Sequence, residues 1–363
     1  MLLCGYYGEH NLGDDALLQV LLQQLPPGWQ PLVTAHDQAL VQQAFGVETV
    51  DRRRLAAVLA ALGRCRALVL GGGSLLQDST SFRSLLYYAA LILAARRRGL
   101  PVLLWGQGLG PLRRRRSRLL VRCLLPLVNG ITWRDPASAQ LAAGWGLRAG
   151  VGSDPVWSLP PHRWQGCGGP IVLCWRPVAQ LDARGWTTLL AAVDQLAERF
   201  QRPVHWLPFH RHQDRDLLQD LQRRGVMPAS LLQRSHLVES ADPEAAMAQF
   251  SGASLVIAMR LHGLILAALA GSPCAALSYD PKVAAAAAAL PCPCLDLDGA
   301  ISATAASELE QSWAALLDQA PDPEALSRLR QGGAVHAALL QQLPAAAQQQ
   351  QPAAELQLPP SGR

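Results

Sequence analysis

Lysine is almost absent from this sequence of 363 residues. Of the 32 lysine and arginine residues, only Lys282, in the stretch SYDPKV, is a lysine. A compositional bias that also favours alanine, leucine and proline accounts for the general absence. The one exception raises the question of why position 282 carries an ammonium, a compact point charge, rather than the planar guanidinium of arginine.

Acidic side chains are absent from one long segment. No Asp or Glu lies between Asp78 and Asp135, whereas arginines are frequent there and include the runs 96–98 and 113–116. Such charge runs are most often solvated surface, and the alternative is a surface for anionic partners such as a phosphorylated substrate or lipid headgroups. No aromatic residues alternate with these arginines and no nucleic-acid-binding motif accompanies them, so we expect no nucleic-acid partner.

Long apolar segments and metal-binding cysteine motifs are also missing. The longest apolar run, LLYYAALILAA at 85–95, is too short to span a bilayer, and the first residues, MLLCGYYGEH, lack a basic leader. We therefore expect a cytoplasmic protein whose contact with a membrane, if there is one, is peripheral. The eight cysteines form no C-x-x-C pair, which argues against a zinc site and a disulfide framework. No His, Asp or Glu cluster has ligand spacing, so we expect no metal cofactor.

The length and the apolar pattern predict an α/β protein of two domains. Apolar runs typical of buried strands alternate with helical segments in both halves, which favours parallel sheets covered on both faces. A Pro/Gly-rich stretch at 158–170 is a predicted linker. The prediction is two Rossmann-like, doubly wound parallel-sheet domains followed by a disordered tail of low complexity. Their predicted boundaries are 1–160, 170–342 and 343–363.

The stretch GYYGEHNLGDDA (5–16) follows the first predicted strand, at the edge of a parallel sheet where ligands bind. Its glycines lack the spacing of a dinucleotide fingerprint, and Asp14 stands where a P-loop has lysine. Asn11 and Asp14 therefore have two interpretations, as part of a close backbone turn at a ligand site or as ordinary helix caps.

A second glycine-rich stretch, GGGSLLQD (71–78), directly follows a buried strand. Gly72 and Gly73 allow backbone N–H groups to converge on an anion, and Ser74 adds a hydroxyl. A tight turn does not require three glycines, so we favour a ligand-binding role and include Asp78 with these cleft loops.

Cationic and titratable residues mark the strand ends of the second half. In MRLHG (259–263), Arg260 and His262 lie at the end of an apolar strand and the start of a helix, a position suited to an anion. Arginine can hold a carboxylate or phosphate with two hydrogen bonds, and histidine can transfer a proton. Lys282 lies beyond the next strand and Arg176 ends the first strand of this half, so we predict one anion-binding catalytic site.

Several of these stretches together resemble a family. They are GYYGEHNLGDDA, GGGSLLQD, GQGLGP, WRDPAS, SDPVW and MRLHGLILAALAGSPCAALSYDPKV. Over residues 1–290 the chain resembles a polysaccharide pyruvyl transferase of the CsaB type. The resemblance implies a GT-B-like pair of domains facing an interdomain cleft, phosphoenolpyruvate as the donor, and a saccharide acceptor that becomes a pyruvate ketal.

The resemblance also implies roles for residues. Arg260 and His262 would bind the donor and assist catalysis, with His262 as the general acid, and Arg176 would be the strand-end arginine of the donor site. We expect Lys282 to follow the phosphate as it departs, which would answer the question of its ammonium. A lipid-linked acceptor would bring the arginines at 96–98 and 113–116 close to a membrane.

Two other functions fit the same residues. One is a GT-B glycosyltransferase that uses a nucleotide-sugar and stabilises a departing phosphate in the same cleft. The other is a non-catalytic sugar-binding or lipid-binding module that retains the fold. Dependence on the donor separates the alternatives, because phosphoenolpyruvate yields phosphate and a nucleotide-sugar yields a nucleoside diphosphate.

Overall fold

The computed structural model describes residues 1–79, 81–299, 301 and 305–343. Apart from Leu343, the predicted disordered tail at 343–363 lies outside the described residues.

Strands and helices alternate along the chain. The strands are β1 Leu2–Tyr7, β2 Leu32–Ala35, β3 Glu48–Asp51, β4 Leu68–Leu70, β5 Gly73–Leu76, β6 Val102–Leu109, β7 Gly130–Trp133, β8 Gly150–Val151, β9 Ile171–Cys174, β10 Val204–Trp206, β11 Ser235–Leu237, β12 Leu255–Ala258, β13 Cys274–Ser278 and β14 Cys294–Asp296.

The helices of the first half are α1 Leu12–Gln23, α2 Gln38–Phe45, α3 Leu55–Leu62, α4 Phe82–Arg97, α5 Arg115–Leu124 and α6 Pro136–Ala143. Those of the second half are α7 Ala183–Arg199, α8 Arg211–Asp214, α9 Leu217–Arg223, α10 Ala229–Arg234, α11 Pro243–Ser251, α12 Leu261–Leu269, α13 Pro281–Ala289, α14 Ala305–Ala314, α15 Pro323–Gly332 and α16 Ala334–Leu340. Short 3-10 helices span Leu125–Leu127 and Pro155–Ser158.

The strands form two parallel sheets. The first has the order β3-β2-β1-β4-β6-β7-β8, with β5 beside β6, and the second has the order β11-β10-β9-β12-β13-β14. In both sheets the order reverses after the first strand, which is the doubly wound arrangement of Rossmann folds. The predicted fold class is confirmed, and the two reversal points lie between β1 and β4 and between β9 and β12.

The two domains share a hydrophobic core where they meet. Leu17 of α1, Trp157 of the 3-10 helix and Leu264 of α12 belong to one cluster of buried side chains. Burying each such side chain contributes roughly 1.5–3 kcal/mol. The base of the cleft is therefore an apolar contact, and the polar groups gather at the carboxyl edges of the sheets.

The last helices return to the first sheet. In α16, His336 Nδ1 lies 2.9 Å from Thr132 Oγ1 and its Nε2 lies 2.7 Å from the Ser153 carbonyl oxygen. Leu339 packs beside Gly130, where a side chain on residue 130 would collide with it. The predicted second domain, 170–342, thus includes a segment that packs on the first domain, because a short apolar helix does not reveal from its own sequence which sheet it covers.

Within the described residues, no helix has both the length and the hydropathy to cross a bilayer.

Candidate active site

The carboxyl edges of the two sheets are joined through their backbones. The loop after β1 and the loop after β10 form an antiparallel bridge between Asn11 and His210. The Leu12 N–H donates to the Phe209 carbonyl at 3.0 Å, and the Arg211 N–H donates to the His10 carbonyl at 2.9 Å. These bonds hold the first turn of α1 opposite the strand ends of the second domain.

A cavity of about 160 Å³ lies at this junction. Four residues predicted from the sequence line it: Asn11 from the first domain, and Arg260, His262 and Lys282 from the second. Residues that follow three different strands, β1, β12 and β13, therefore meet at one place, as their positions at strand ends predicted.

His262 occupies the first turn of α12 and touches the first domain. A Cβ atom on Gly13 would lie 2.7 Å from Cγ of the imidazole, so only glycine fits at position 13 without displacing the ring. His262 Nε2 is 3.5 Å from Asp154 Oδ2, longer than an ordinary hydrogen bond but close enough for strong attraction to a protonated ring.

Asp154 is a buried carboxylate at the start of the 3-10 helix. It accepts hydrogen bonds from Arg134 Nη1 at 2.8 Å and from the Val156 N–H at 3.1 Å. Burial acts to raise the pKa of Asp154, but His262 and Arg134 outweigh it and hold that pKa well below its usual range. A fixed negative charge therefore stands beside the imidazole. Arg134 Nη2 also donates to Ser74 Oγ at 3.3 Å, which links the GGGS loop to this group.

Arg260 is held by a buried partner. Its Nε lies 3.1 Å from Asp214 Oδ2, and its Nη2 bonds to Asp214 Oδ1 and, at 3.0 Å, to Gln213 Oε1. The Asp214 side chain has no exposed surface and also accepts from the backbone N–H groups of Phe209 and His210. Asp214 therefore occupies Nε and Nη2, the pair of guanidinium nitrogens that we expected to hold the carboxylate or phosphate of a donor. Nη1 has no hydrogen-bond partner among the described residues.

Lys282 differs from Arg260 in having no such partner. Its backbone N–H is capped by Asp280 at 3.0 Å in the first turn of α13, but its ammonium forms no ion pair with any described residue. Burial and the positive charge of Arg134 lower the pKa of Lys282 to about 8, although Asp280 and other carboxylates oppose the shift. The ammonium is therefore a cation available to an anionic ligand.

Arg176 lies next to the cavity rather than in its wall. Its Nη1 donates to the Tyr279 hydroxyl at 3.1 Å, and its guanidinium stacks 5.0 Å from the centre of the Tyr279 ring. Tyr279 itself lines the cavity. The predicted donor-site arginine is thus one residue removed from the space it was expected to face.

The glycines of the GGGS loop pack against α1. Gly73 has φ +96°, a conformation that favours glycine, and a Cβ there would lie 4.0 Å from Asp14 Oδ1. A Cβ on Gly72 would lie 2.6 Å from a methyl carbon of Leu17. These glycines allow the close approach of the loop to the helix that carries Asp14.

Asp14 lies beside the cavity and is bonded to the Asn11 side-chain amide. Burial raises its pKa to about 6, even though His262 and several arginines favour the charged form. Asn11 also caps α1 by accepting from the Gly13 N–H at 3.1 Å. Asn11 is therefore a helix cap, as one interpretation predicted, and it also lines the cavity.

Asp78 has a structural position. Its two carboxylate oxygens accept from the backbone N–H groups of Arg113 and Arg114, each at 2.8 Å. Burial opposes ionisation, but these bonds leave the pKa of Asp78 lowered. Asp78 holds the turn before α5 and does not line the cavity, which is also true of Arg176, Asp14 and the GGGS loop.

A larger cavity, about 290 Å³, lies between the β7 region and Leu339 of α16. Its lining contains one charged side chain, Arg148. It lacks the convergent titratable groups of the interdomain cavity, so we place the chemistry in the smaller one.

Comparison with known families gives one match over most of the chain. The family model described as polysaccharide pyruvyl transferase matches residues 11–281. No curated protein matches the sequence.

Solved structures with the same architecture span nearly the whole chain. A UDP-GlcNAc 2-epimerase from Methanocaldococcus jannaschii has a TM-score of 0.60 at 9% identity, covering 93% of this chain and 99% of its own. The Neisseria meningitidis UDP-GlcNAc 2-epimerase, bound to UDP-GlcNAc, has a TM-score of 0.59 at 12% identity, covering 94% and 100%. A glycosyltransferase from Rickettsia africae has a TM-score of 0.51 at 9% identity, covering 93% of each chain. At such identities the likeness shows a shared fold, and it confirms the GT-B-like pair of domains.

Proposed function

Since the chain belongs to the polysaccharide pyruvyl transferase family and is a transferase, we propose that it moves pyruvate from phosphoenolpyruvate to a saccharide. The product is a pyruvate ketal on a sugar of a cell-wall or exopolysaccharide, and the other product is phosphate. We further propose the CsaB type within the family, because stretches such as MRLHGLILAALAGSPCAALSYDPKV resemble that type. The observation that carries the proposal is the pairing of His262 with buried Asp154, in a cavity that is also lined by Lys282, whose ammonium has no ion-pair partner among the described residues.

Donor binding needs positive charge, because phosphoenolpyruvate carries a carboxylate and a phosphate. Lys282 supplies an ammonium that forms no ion pair with a described residue, although Asp280, Asp135 and Asp154 are close enough to favour its charged form. The first turn of α12, which has no side-chain cap, adds backbone N–H groups at the edge of the cavity, where the helix dipole favours anions. In α13 the corresponding Lys282 N–H is already bonded to Asp280. Arg176, bonded to the neutral Tyr279 hydroxyl, adds positive charge near the site, whereas Asp214 offsets most of the charge of Arg260.

The first chemical step is protonation of the donor methylene carbon. The imidazolium of His262 donates this proton, and the carbon–carbon double bond supplies the electron pair of the new C–H bond. Asp154 stabilises the imidazolium before transfer and fixes the ring orientation. The adjacent carbon becomes oxocarbenium-like, and a sugar hydroxyl adds to it and loses its proton.

Phosphate leaves in the second step. The carbon–oxygen bond to phosphate breaks as a second hydroxyl of the same sugar closes the ketal ring. Of the two hydroxyl protons, one restores His262 and the other leaves with phosphate or solvent, so the reaction balances without an oxidant or reductant. Lys282 is placed to stabilise the departing phosphate, a role for which a mobile point charge is suited.

Donor binding without an acceptor tests this proposal. Titration calorimetry with phosphoenolpyruvate should show binding to the unaltered protein. Lys282→Met removes the ammonium and should bind phosphoenolpyruvate at least tenfold more weakly, a loss of about 1.4 kcal/mol in binding free energy. Arg328→Gln, which removes an exposed arginine on α15, is the matched control and should bind normally. Binding of a UDP-sugar but not of phosphoenolpyruvate would favour a nucleotide-sugar glycosyltransferase instead. Binding of neither donor would favour a sugar-binding or lipid-binding module.

A further inference from the structure

Large apolar side chains are exposed on two neighbouring helices of the first domain. Leu86 and Leu93 of α4 are 46% and 40% exposed, and Leu119 of α5 is 64% exposed. Buried residues of both helices, Leu85 and Val121 among them, belong to the same core cluster on one face of the sheet. The exposed leucines therefore lie on the outer side of one helical layer.

Arginines flank the leucines at helical spacing. On α4 the residues 83, 86, 93 and 97 are separated by three, seven and four positions, and on α5 the residues 115, 119 and 122 are separated by four and three. Positions so spaced share a helix face. We call these residues the α4–α5 face: Arg83, Leu86, Leu93, Arg97, Arg115, Leu119 and Arg122. The α4 part extends about 20 Å at 1.5 Å per residue.

The arginine side chains of this region are not paired with carboxylates. Within the described residues, none of the arginines from 83 to 122 lies within ion-pair distance of a carboxylate; the carboxylate pairs of the structure involve arginines elsewhere. The side-chain bonds found here go to neutral oxygens, as from Arg96 to Asn129 Oδ1 and from Arg118 to the Leu112 carbonyl. Arg116 stacks over Phe82 at 4.2 Å, which brings the starts of the two helices together.

We propose that the α4–α5 face and the arginine run at 113–116 dock the protein on an anionic lipid bilayer. Guanidinium groups pair with the headgroup phosphates, and the leucines enter the boundary between headgroups and acyl chains. A nucleic acid would use the arginines but would leave the three leucines in water. A bilayer satisfies both the charge and the apolar side chains.

The docking surface reaches the rim of the cleft. Helices α4 and α5 follow the parallel strands β5 and β6, so both helices begin at the carboxyl edge of the sheet. That edge carries the candidate active site. Docking would therefore hold the cleft next to the membrane surface, although docking itself does not depend on the proposed reaction.

Co-sedimentation with vesicles tests the proposal without an activity assay. We expect binding to vesicles of phosphatidylglycerol and phosphatidylcholine, none to phosphatidylcholine alone, and weakening of the binding as salt is added. Changing Arg113–Arg116 to Gln keeps the backbone N–H groups that Asp78 holds and should reduce the partition coefficient by roughly fivefold per arginine. The control changes four exposed arginines elsewhere to Gln and should bind as the parent does. These are Arg64, Arg199, Arg223 and Arg328.

A separate variant tests the contribution of the exposed leucines to vesicle binding. Changing Leu86, Leu93 and Leu119 to Gln should reduce vesicle binding about tenfold or more, because apolar area is no longer removed from water. Leu237→Gln, an exposed leucine of β11, should have no effect. Circular dichroism would verify that each variant folds.

The proposal is wrong if the parent protein binds neutral and anionic vesicles equally, or if it binds RNA but no vesicles. It is also wrong if the four-arginine control loses as much vesicle binding as the Arg113–Arg116 variant, or if the leucine variant binds vesicles as the parent does. A dimer in sedimentation velocity that the leucine variant abolishes, without vesicle binding by the parent, would instead assign the face to a second copy of the chain.

Discussion

Gly13 of the first domain lies directly against the imidazole of His262 in the second domain. A Cβ atom at position 13 would lie 2.7 Å from the ring Cγ and closer still to Nδ1. The first turn of α1 therefore sets the position of the residue that we propose as the general acid, and the domain contact and the catalytic geometry depend on the same atoms.

Gly13→Ala tests this relationship. The added methyl must displace the ring or separate the domains, and a displacement of about 1 Å can cost roughly 100-fold in rate. We expect a fall in kcat of that order with the fold preserved, measured by phosphate release. Gly299→Ala is the control, because a Cβ there meets no atom of a described residue within 4 Å. Normal turnover by Gly13→Ala would mean that His262 does not need its observed position.

His262→Gln should remove the proton donor and reduce kcat by ~10²–10⁴. Asp154→Asn keeps the shape of its side chain but removes the charge beside the imidazole, so we expect a smaller fall in kcat and little change in the KM for phosphoenolpyruvate. Steady-state kinetics of both variants would check this. If Asp154→Asn raised KM alone, Asp154 would act on donor binding rather than on the acid.

Lys282 should give kcat/KM an alkaline limb. Its pKa is lowered to about 8, so the ammonium is present below that pH and is lost as the pH rises through it. Donor binding should therefore weaken above about pH 8. In the pH profile of kcat, which reports the enzyme with donor bound, the alkaline fall should occur at higher pH, because the bound anion stabilises the ammonium. Lys282→Arg stays protonated throughout and should abolish the limb while lowering activity, because a planar guanidinium replaces the compact ammonium. An unchanged limb in Lys282→Arg would assign the titration to another group.

Asp214 should be important for stability as well as for the site. Removing its carboxylate in Asp214→Ala leaves the Arg260 guanidinium without its ion-pair partner, and breaking a buried pair from one side costs about 3–5 kcal/mol. Thermal unfolding should show this loss. Arg260→Lys should also lower both the unfolding temperature and the activity, because an ammonium cannot make the paired bonds to Asp214. The prediction is wrong if Asp214→Ala unfolds at the parent temperature.

Much of the fold could be predicted from apolar runs. The strand β12 and the helix α12 were predicted because LVIA is a continuous apolar run and an apolar helical segment follows it, and the structure buries every residue of β12. The strand β3 was not identified, since it is a short, partly exposed edge strand with no continuous apolar run. The packing of α16 on the first sheet, and of α15 against the 3-10 helix Pro155–Ser158, depends on contacts between residues far apart in sequence.

The candidate site shows the same difference between residues with a local sequence signal and residues whose role depends on distant contacts. His262, Arg260 and Lys282 were predicted because they follow apolar strands, and this local signal is visible in the sequence. Arg134 and Asp154 occur in WRDPAS and SDPVW, which contributed to the family resemblance, but neither was assigned a role. Asp214 was also missed, as an acidic residue at the start of a predicted helix. The roles of Arg134, Asp154 and Asp214 depend on partners that are distant in the sequence. For Arg134 alone a local signal was available, because it directly follows the strand β7.

The most direct test of the account is donor-dependent turnover with product analysis. The protein would be incubated with a panel of hexoside and hexosaminide glycans that carry a free diol, with phosphoenolpyruvate or with nucleotide-sugars, and the glycans would then be examined by mass spectrometry. We predict phosphate release from phosphoenolpyruvate and a glycan heavier by one pyruvate less one water, with one deuterium in the ketal methyl group when the solvent is deuterium oxide. His262→Gln should lose both signals. Release of a nucleoside diphosphate and transfer of a sugar, with no phosphate from phosphoenolpyruvate, would contradict the account.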